Sequence, residues 1–350
     1  MTHDILFYLS LLVILSTVIP FIRHDFWIFR VFEYPRLQKL SLNLVLILII
    51  LCFSFPVKTA DWLLFSALLL NVFYLLYLIF PFTVFGKKQI ITSLRSNGRD
   101  NLKILIANVF QENRQSADYH NLIASCDPDV ILMVETNKWW EKEMDSIQER
   151  YTYQLKAPLE NTYGMLLYSK LSLTDAKVNY LVKPDIPSME ATVELRSGQK
   201  VKLFCLHPEP PVPQENPKST ERDKEILIVG DKAKESKIPV VVMGDLNDVA
   251  WSYTTELFGK VSGLLDPRRG RGFFNSFNAK YWLLRFPLDH IFCSTDFALS
   301  SIKRLPSCGS DHFPMCVDLK YLPSAENQNE QLDVSADDLA LAKEKIRADG

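Results

Sequence analysis

The segment Pro239–Asn247 reads PVVVMGDLN: a short apolar run followed by an acidic and an amide side chain, those of Asp245 and Asn247. A carboxylate such as Asp245 can hold a metal ion or accept a proton, and a carboxamide such as Asn247 can donate a hydrogen bond. Groups at the carboxyl end of a buried α/β strand commonly form the site of such folds. Gly, Asp and Asn also favour turns, so a strand followed by an Asx-type turn explains the same letters. This run alone leaves both interpretations open.

The same arrangement recurs elsewhere in the chain. The polar groups that stand at the ends of strand-like runs are Asn108, Glu135, His207, Asp245 with Asn247, Asp289 with His290, and Ser310-Asp311-His312. Each could by itself be a capping residue or a structural histidine. Six placements of one kind are hard to explain by capping, and stacked strands bring their ends to one rim. We therefore expect these groups to converge.

The order of the motifs, N…ET…GMLLYS…LHP…GDLN…LDHI…SDHFP, resembles the endonuclease–exonuclease–phosphatase superfamily. That group includes pancreatic-type deoxyribonucleases, abasic-site endonucleases, neutral sphingomyelinases and inositol polyphosphate 5-phosphatases. The resemblance covers Leu102 to about Lys320, and the pairing of GDLN with SDHFP is specific. The apolar amino terminus resembles the bacterial membrane-anchored branch of the superfamily.

The resemblance implies a four-layer α/β sandwich, with two mixed β-sheets flanked by helices, and divalent-metal phosphoester hydrolysis with Mg²⁺ or Mn²⁺. The resemblance also implies a role for each matching residue. Glu135, Asp311 and Asn108 would bind the metal, and Asn108, Asn247 and His312 would contact the substrate phosphate. Asp245 and Asn247 would position water and phosphate, Asp289 would orient His312, and His207 would lie near the leaving group.

The chemistry of phosphoester hydrolysis accounts for the same residue types. It needs an activated water, in-line geometry and neutralised phosphoryl oxygens. Carboxylate oxygens such as those of Glu135 and Asp311 suit Mg²⁺. A histidine oriented by a carboxylate, His312 with Asp289, can bond phosphate or move a proton near neutral pH. Asp245 could accept a proton from water, and the residue types leave the general base undecided.

Composition divides the 350 residues into four parts. We expect a membrane domain at 1–86, a linker at 87–101, the sandwich domain at 102–322 and an acidic, mostly disordered tail at 323–350, with a short helix near Asp337–Ile346. Lys and Arg number 31 against 30 Asp and Glu in residues 87–322, so the sandwich domain is nearly neutral. That balance disfavours, without excluding, a nucleic-acid partner. The mixture of helices and many strands favours two packed sheets.

Three apolar runs, Ile5–Ile22, Leu42–Val57 and Trp62–Phe85, approach or exceed the ~20 residues that cross a bilayer. We therefore expect residues 5–85 to contact a lipid bilayer, as three spans in a bacterial inner membrane. Four Lys and Arg lie in the first loop, Arg23–Lys39, and four more lie between 87 and 99. The positive-inside rule then places the sandwich domain in the cytoplasm. Six cysteines without a CxxC pair make a disulfide framework unexpected.

The sequence allows two interpretations for each of three further features: a basic loop, one arginine and one tryptophan. The basic loop Arg268–Arg271 is either a phosphate or anionic-lipid contact or a solvated loop. Arg222 could reach phosphate, although a surface ion pair is favoured, and Trp251 is favoured as a packing residue over a substrate platform.

Two classes of function fit the sequence. The first is a membrane-anchored phosphoesterase that cleaves a phosphate mono- or diester, with a lipid- or isoprenoid-linked substrate favoured; an endo- or exonuclease is the alternative within this class. The second is a non-catalytic membrane scaffold that retains the fold. A decayed site would be expected to lose some of its polar positions, and all are present, which favours an enzyme.

Overall fold

The computed structural model describes residues 2–53, 58–93 and 98–349. Three helices, Thr2–Val18 (α1), Arg36–Phe53 (α3) and Thr59–Ile79 (α4), belong to segments long and apolar enough to cross a membrane. Only 17%, 22% and 28% of their apolar windows are buried. Most of this apolar surface therefore faces outward, as a lipid-facing surface would. The end of the second predicted span, at 54–57, lies outside the described residues.

Two β-sheets form the centre of the remaining chain. The first has the order β10-β11-β1-β2-β4-β3 and the second the order β5-β6-β7-β8-β9. The strands of the first sheet are Asn101–Asn108 (β1), Val130–Val134 (β2), Tyr153–Ala157 (β3), Met165–Ser169 (β4), Phe297–Arg304 (β10) and Met315–Tyr321 (β11). Those of the second sheet are Leu173–Asn179 (β5), Ser188–Glu194 (β6), Lys200–Leu206 (β7), Val240–Asp245 (β8) and Asp289–Cys293 (β9).

The sheets pack face to face because their strands are apolar on both sides. Ile104 and Ile106 of β1 lie in the same buried cluster as Val241 and Met243 of β8. The alternate residues face outward onto helices, as period-2 geometry requires. The helices that cover the first sheet are Ser116–Cys126 (α5) and Lys138–Glu143 (α6), and those that cover the second are Thr220–Glu235 (α7), Tyr253–Ser262 (α8) and Ala336–Arg347 (α9). The four-layer sandwich predicted from the sequence is confirmed.

Two strands were not predicted from the sequence, namely β5 and β10. Both are edge strands, and both carry polar or charged side chains on their exposed parts. An edge strand needs no continuous apolar run, because one side of it faces solvent. The sequence of such a strand therefore resembles that of a loop.

The predicted linker and tail are more ordered than expected. Ile90 is buried in the core between the sheets, and the Ser93 amide donates to the Leu299 carbonyl at 2.9 Å. Residues 94–97 of the linker lie outside the described part. In the tail, α9 packs on the second sheet's helices, and Lys345 forms an ion pair with Asp223 at 2.9 Å. The short helix predicted near Asp337–Ile346 is present as α9, at Ala336–Arg347.

The segment between the first and second long helices, residues 22–35, is hereafter the connector. It contains the short helix Trp27–Arg30 (α2) and packs on the sandwich domain. The Trp27 amide donates to the Pro217 carbonyl, and the Ser219 amide donates to the Asp25 carbonyl, each at 2.8 Å. Because these bonds join main chains, the connector is part of the domain surface rather than a free loop.

Candidate functional site

Neighbouring strands bring the predicted site residues to one edge of the sandwich. Asn108 is the last residue of β1, and Glu135 directly follows β2, which is parallel to β1 and pairs Val134 with Asn108. In the second sheet, Asp245 ends β8 and is paired in register with Asp289, the first residue of β9. His207 follows β7, which is parallel to β8. The topology therefore places the polar ends of both sheets side by side.

Asn108 links the two sheets at this edge. Its Nδ2 donates to Glu135 Oε1 at 2.7 Å and to Asp245 Oδ2 at 3.0 Å. Its Oδ1 accepts from the Phe110 amide at 3.0 Å. The three bonds fix the amide's orientation, with both donors facing carboxylates. Two acidic groups from different sheets are thereby held on one amide nitrogen.

His312 lies between two aspartates. Its Nδ1 is 2.8 Å from Asp289 Oδ2, and its Nε2 is 3.5 Å from Asp245 Oδ2. Burial alone would lower the pKa of His312, but the negative charges of Asp289 and Asp245 outweigh it and raise the pKa to about 10. Asp289 thus holds the ring through Nδ1, and the longer Nε2 contact leaves that N–H available to a ligand.

Glu135 is a partly buried acid in a strained backbone. Its φ of 57° lies in the left-handed region that few non-glycine residues adopt. Burial raises the pKa of Glu135 to about 7, although the Asn108 hydrogen bond acts in the opposite direction. A cation at this carboxylate would remove the cost of burying its charge.

The turn after β8 combines both interpretations of the PVVVMGDLN run. Asp245 Oδ1 accepts from the Asn247 amide at 3.0 Å, which is an Asx-type turn, while Asp245 Oδ2 faces Asn108 and His312. Asn247 has a φ of 50°. The chain is therefore no longer extended there, and the period-2 alternation of strand side chains stops at Asp245. The Asn247 Nδ2 donates to the Pro208 carbonyl at 3.0 Å.

Gly244 allows the close approach of β7 and β8 at the site. A Cβ built on it would lie 1.9 Å from the Leu206 carbonyl oxygen, and its φ is 146°. Any side chain would push β8 away from β7. Glycine therefore sets the spacing between His207 and Asp245.

His207 is buried and neutral. Burial lowers its pKa to about 4, its Nδ1 has no hydrogen-bond partner, and its ring centre lies 5.4 Å from that of Tyr163. An unpaired polar atom in a buried position is costly unless a ligand or water satisfies it. The orphaned Nδ1 marks this histidine as a place where a bound group can donate or accept.

Asp311 is less closely bound to the group than expected. Its Oδ1 is 3.5 Å from Ser310 Oγ, and its charge helps to raise the pKa of Glu135 and of His312. Within the described ranges, Asp245, Asp289 and His312 form a group of three acidic and histidine side chains whose ligand atoms all lie within 4.8 Å of one another. The predicted ligand trio of Glu135, Asp311 and Asn108 is not that group.

The charges of the site fit a divalent cation. Four carboxylates, those of Glu135, Asp245, Asp289 and Asp311, face one imidazolium, and Asp289 Oδ1 is buried without a partner. His312 is a poor ligand, since Asp289 occupies its Nδ1 and the imidazolium has no free lone pair. The carboxylate oxygens of Glu135 and Asp311 are of the kind that Mg²⁺ and Mn²⁺ prefer. Asn108, also predicted as a ligand, turns its Nδ2 to the carboxylates and its Oδ1 to the Phe110 amide.

A buried network beneath the Asp245–Asn247 turn escaped the sequence analysis. The Asn247 carbonyl accepts from Tyr34 Oη at 2.9 Å and from Arg222 Nη1 at 2.8 Å. Arg30 of the connector lies 3.7 Å from Asp248 and 3.0 Å from Glu33. The interpretation of Arg222 as a surface residue is wrong, because its side chain is fully buried. Apart from the adjacent Asp223, its partners are Asp248 and the Asn247 carbonyl, which lies 25 residues along the chain, so no local signal identifies it as buried.

The basic loop is structural rather than a phosphate contact. Arg268 is buried against Asp266, at 2.8 Å, and its Nη2 is 2.6 Å from His290 Nδ1. Arg271 donates to main-chain and hydroxyl oxygens of the segment before β1. Trp251 is buried between Phe82 and Phe273, in agreement with the packing interpretation. All six cysteines are described and are free thiols.

Comparison with known proteins identifies a family for this fold and site. Residues 105–312, more than half of the chain, match the family model described as the endonuclease/exonuclease/phosphatase family. No curated protein sequence matches the chain.

Solved structures with the same fold include three with low sequence identity. Humanized D. rerio TDP2 carrying 14 mutations is 17% identical, with a TM-score of 0.53, 63% of this chain covered and 99% of that one. An endonuclease/exonuclease/phosphatase from Beutenbergia cavernae is 15% identical, with a TM-score of 0.53 and coverages of 64% and 72%. The human nocturnin catalytic domain with bound sulfate is 15% identical, with a TM-score of 0.51 and coverages of 64% and 96%.

Proposed function

Because the chain belongs to the endonuclease/exonuclease/phosphatase family, whose enzymes hydrolyse phosphoester bonds, we propose that it is a membrane-anchored, divalent-metal-dependent phosphoesterase. The observation that carries the proposal is the Asn108–Glu135–Asp245–His312–Asp289 constellation, which joins both sheets through hydrogen bonds at one edge. A non-catalytic scaffold has no need of two acids, Asp245 buried and Glu135 partly buried, held on one amide, since burying negative charge costs stability.

Three side chains of the site would take separate roles in hydrolysis: a proton acceptor, a hydrogen-bond donor to the phosphate and a carboxylate that orients that donor. Asp245 Oδ2 lies 3.0 Å from Asn108 Nδ2 and 3.5 Å from His312 Nε2, so a water bound beside it can lose a proton to this carboxylate. The protonated His312 donates its Nε2 hydrogen to a phosphoryl oxygen. Asp289 keeps the imidazolium charged and oriented through Nδ1.

Glu135 would hold the metal ion, with Asp311 as a further carboxylate nearby and with the Asn108 Nδ2 orienting the Glu135 carboxylate. The ion supplies charge neutralisation at the phosphoryl and leaving oxygens. His207, neutral and with an unpaired Nδ1, is placed in the second sheet beside Asp245 and can hydrogen-bond the leaving group. Asn247 keeps one amide hydrogen free for the substrate, since the other bonds Pro208.

The membrane setting supports a substrate at the bilayer. Phe82, which follows α4, packs in one buried cluster with Val249 and Trp251, close in sequence to the Asp245–Asn247 turn. Tyr34 of the connector bonds Asn247 directly. We propose that the substrate is a lipid- or isoprenoid-linked phosphoester, and that the sandwich domain is cytoplasmic. Arg30 is engaged in buried ion pairs, so its place in the connector has a structural reason apart from membrane orientation.

Metal binding and substrate class are tested separately. Titration calorimetry with Mn²⁺ on the purified full chain is expected to show binding that Glu135→Gln abolishes. Glu225→Gln is the matched control, because Glu225 is another buried glutamate, with its pKa raised to about 8 by burial, on α7. Equal Mn²⁺ binding in all three proteins would remove Glu135 from the metal site.

The substrate class is tested by comparing phosphate release from phosphatidate vesicles with nicking of plasmid DNA, each with Mg²⁺ and with a chelator. Chelator-sensitive release from the vesicles supports the lipid substrate. Robust nicking without lipid turnover would replace it with a nuclease.

A further inference from the structure

A loop of exposed apolar residues borders the candidate site. Residues 278–285, hereafter the aromatic lip, carry at their tip four large apolar side chains. Tyr281, Trp282, Leu283 and Leu284 are 63%, 74%, 58% and 52% exposed. Single exposed apolar residues are ordinary, but a contiguous group of large ones marks a surface that contacts another apolar phase. The lip therefore needs an explanation beyond packing.

The lip is joined to the site on its inner side. The Ala279 amide donates to the Asp311 carbonyl at 2.6 Å, and the Phe277 ring centre lies 4.9 Å from that of His312. Lys280 Nζ lies 4.6 Å from the centre of the Phe110 ring, two residues beyond Asn108. The base of the lip is thus fixed against residues on both sides of the polar site, and its tip points away from the core.

On its outer side the lip touches a membrane-spanning helix. Gln38 Nε2 donates to the Leu283 carbonyl at 2.7 Å. Gln38 is the third residue of α3, which begins at Arg36 and is long and apolar enough to cross a bilayer. The tip therefore lies level with the first turn of this helix, where a spanning segment meets the headgroup layer.

The composition of the lip suits that layer. Trp and Tyr prefer the membrane interface because their rings are apolar at one end and polar at the other. Lys280 and Arg285 flank the four apolar residues, and their charged groups lie over the Phe110 and Phe313 rings, 4.6 and 5.0 Å from the ring centres, which leaves the tip itself apolar.

We propose that the tip of the aromatic lip, Tyr281–Leu284, inserts into the interfacial layer of the same bilayer that the three helices span. Resting on the proposed function, the insertion places the Asp245–His312 site at the membrane surface, so that it receives amphipathic phosphoesters directly from the lipid phase.

Insertion is measured without reference to activity. The full chain and Trp282→Phe are reconstituted in phosphatidylcholine vesicles, with and without bromine on the acyl chains near the headgroup. The fluorescence difference between the two proteins reports Trp282. We expect bromine to quench most of this difference signal. An equal difference signal in both vesicles would overturn the proposal.

Delivery of substrate is measured with a matched variant. The double variant Trp282→Ser/Leu283→Ser is expected to lower kcat/KM for phosphatidate in vesicles about tenfold, because apolar contact with lipid is lost. Its kcat/KM for a water-soluble aryl phosphate should equal that of the wild type. Tyr153→Ser is the control, because Tyr153 is exposed and pairs with Ser169, at the end of the first sheet opposite the site. Equal losses on both substrates would refute delivery. Failure of the wild type on every phosphoester would refute the proposed function, while the quenching result would still decide insertion.

Discussion

Tyr34→Phe tests whether the connector positions the turn that carries Asp245 and Asn247. The Tyr34 hydroxyl donates to the Asn247 carbonyl at 2.9 Å, and Arg222 donates to the same oxygen at 2.8 Å. Asn247 has a φ of 50°, a conformation that persists only when its surroundings hold it. The substitution removes one of the two donors and keeps the ring, whose centre lies 5.6 Å from that of Phe286.

The expected magnitude follows from this one bond. A buried hydrogen bond contributes about 1 kcal/mol net, and the Asn247 carbonyl keeps Arg222, so it is not left unsatisfied. If the lost bond holds the turn in its active conformation, about 1 kcal/mol of transition-state stabilisation is lost. That corresponds to a fall of about fivefold in kcat/KM.

Tyr151→Phe is the matched control. The Tyr151 hydroxyl is buried and donates to the Pro128 carbonyl at 3.0 Å, in the cluster between the first sheet and its outer helices. Both variants should lose about 1 kcal/mol in the free energy of unfolding, measured in the same detergent. Only Tyr34→Phe should also slow hydrolysis of whichever phosphoester the wild type cleaves. Equal losses of stability with unchanged kcat/KM in both variants would refute positioning by the connector.

Three further changes test other parts of the structure. Gly244→Ala should destabilise the fold by at least about 2 kcal/mol in chemical denaturation, because its Cβ would collide with the Leu206 carbonyl; a stability within about 0.5 kcal/mol of wild type would contradict this. Burial would raise the pKa of Asp223, but Arg222, Arg30 and Lys345 outweigh it and hold that pKa below its ordinary value. Its stabilising effect is therefore present above the unfolded pKa of about 3.9 and lost as pH falls below it. Asp223→Asn should therefore weaken the fall in the free energy of unfolding as pH is lowered into the acid range. Asp231→Asn, a change at an exposed residue of the same helix, should leave that fall as steep as in the wild type. A reporter fused after Lys320 should be active only in the cytoplasm, and activity outside it would reverse the proposed orientation.

The sequence predicted which residues lie at the edge of the sandwich better than it predicted the turn and the connector that hold them. Asn108, Glu135, Asp245 and Asp289 stand at the ends of strongly apolar strands, so local pattern placed them correctly at one rim. Turn geometry was less predictable: Asn247 leaves the extended conformation, and the alternation rule fails there.

The connector and its partners could not be predicted from local pattern. Besides local ion pairs with Glu33 and Asp223, Arg30 and Arg222 bond residues distant in sequence, as Tyr34 does. Each of the three resembles an ordinary loop or surface residue in its local sequence. The packing of the tail helix α9 on the domain could not be predicted for a similar reason, although the helix itself was. Its acidic composition suggests disorder, whereas Lys345 pairs with Asp25 and Asp223 from two other parts of the chain. Long-range charge pairing leaves no periodic signal.

The most direct test of the account is hydrolysis by the purified full chain with Mg²⁺, compared with His312→Ala and with His120→Ala. His120 lies on α5 in the outer helix layer, with its Nε2 3.0 Å from the Glu143 carbonyl, so its removal controls for loss of a histidine outside the site. We predict that the wild type and His120→Ala cleave at least one phosphoester, and that His312→Ala is slower by a factor on the order of 10² to 10⁴. Hydrolysis by His312→Ala at the wild-type rate, or no hydrolysis of any phosphoester by the wild type, would contradict the account.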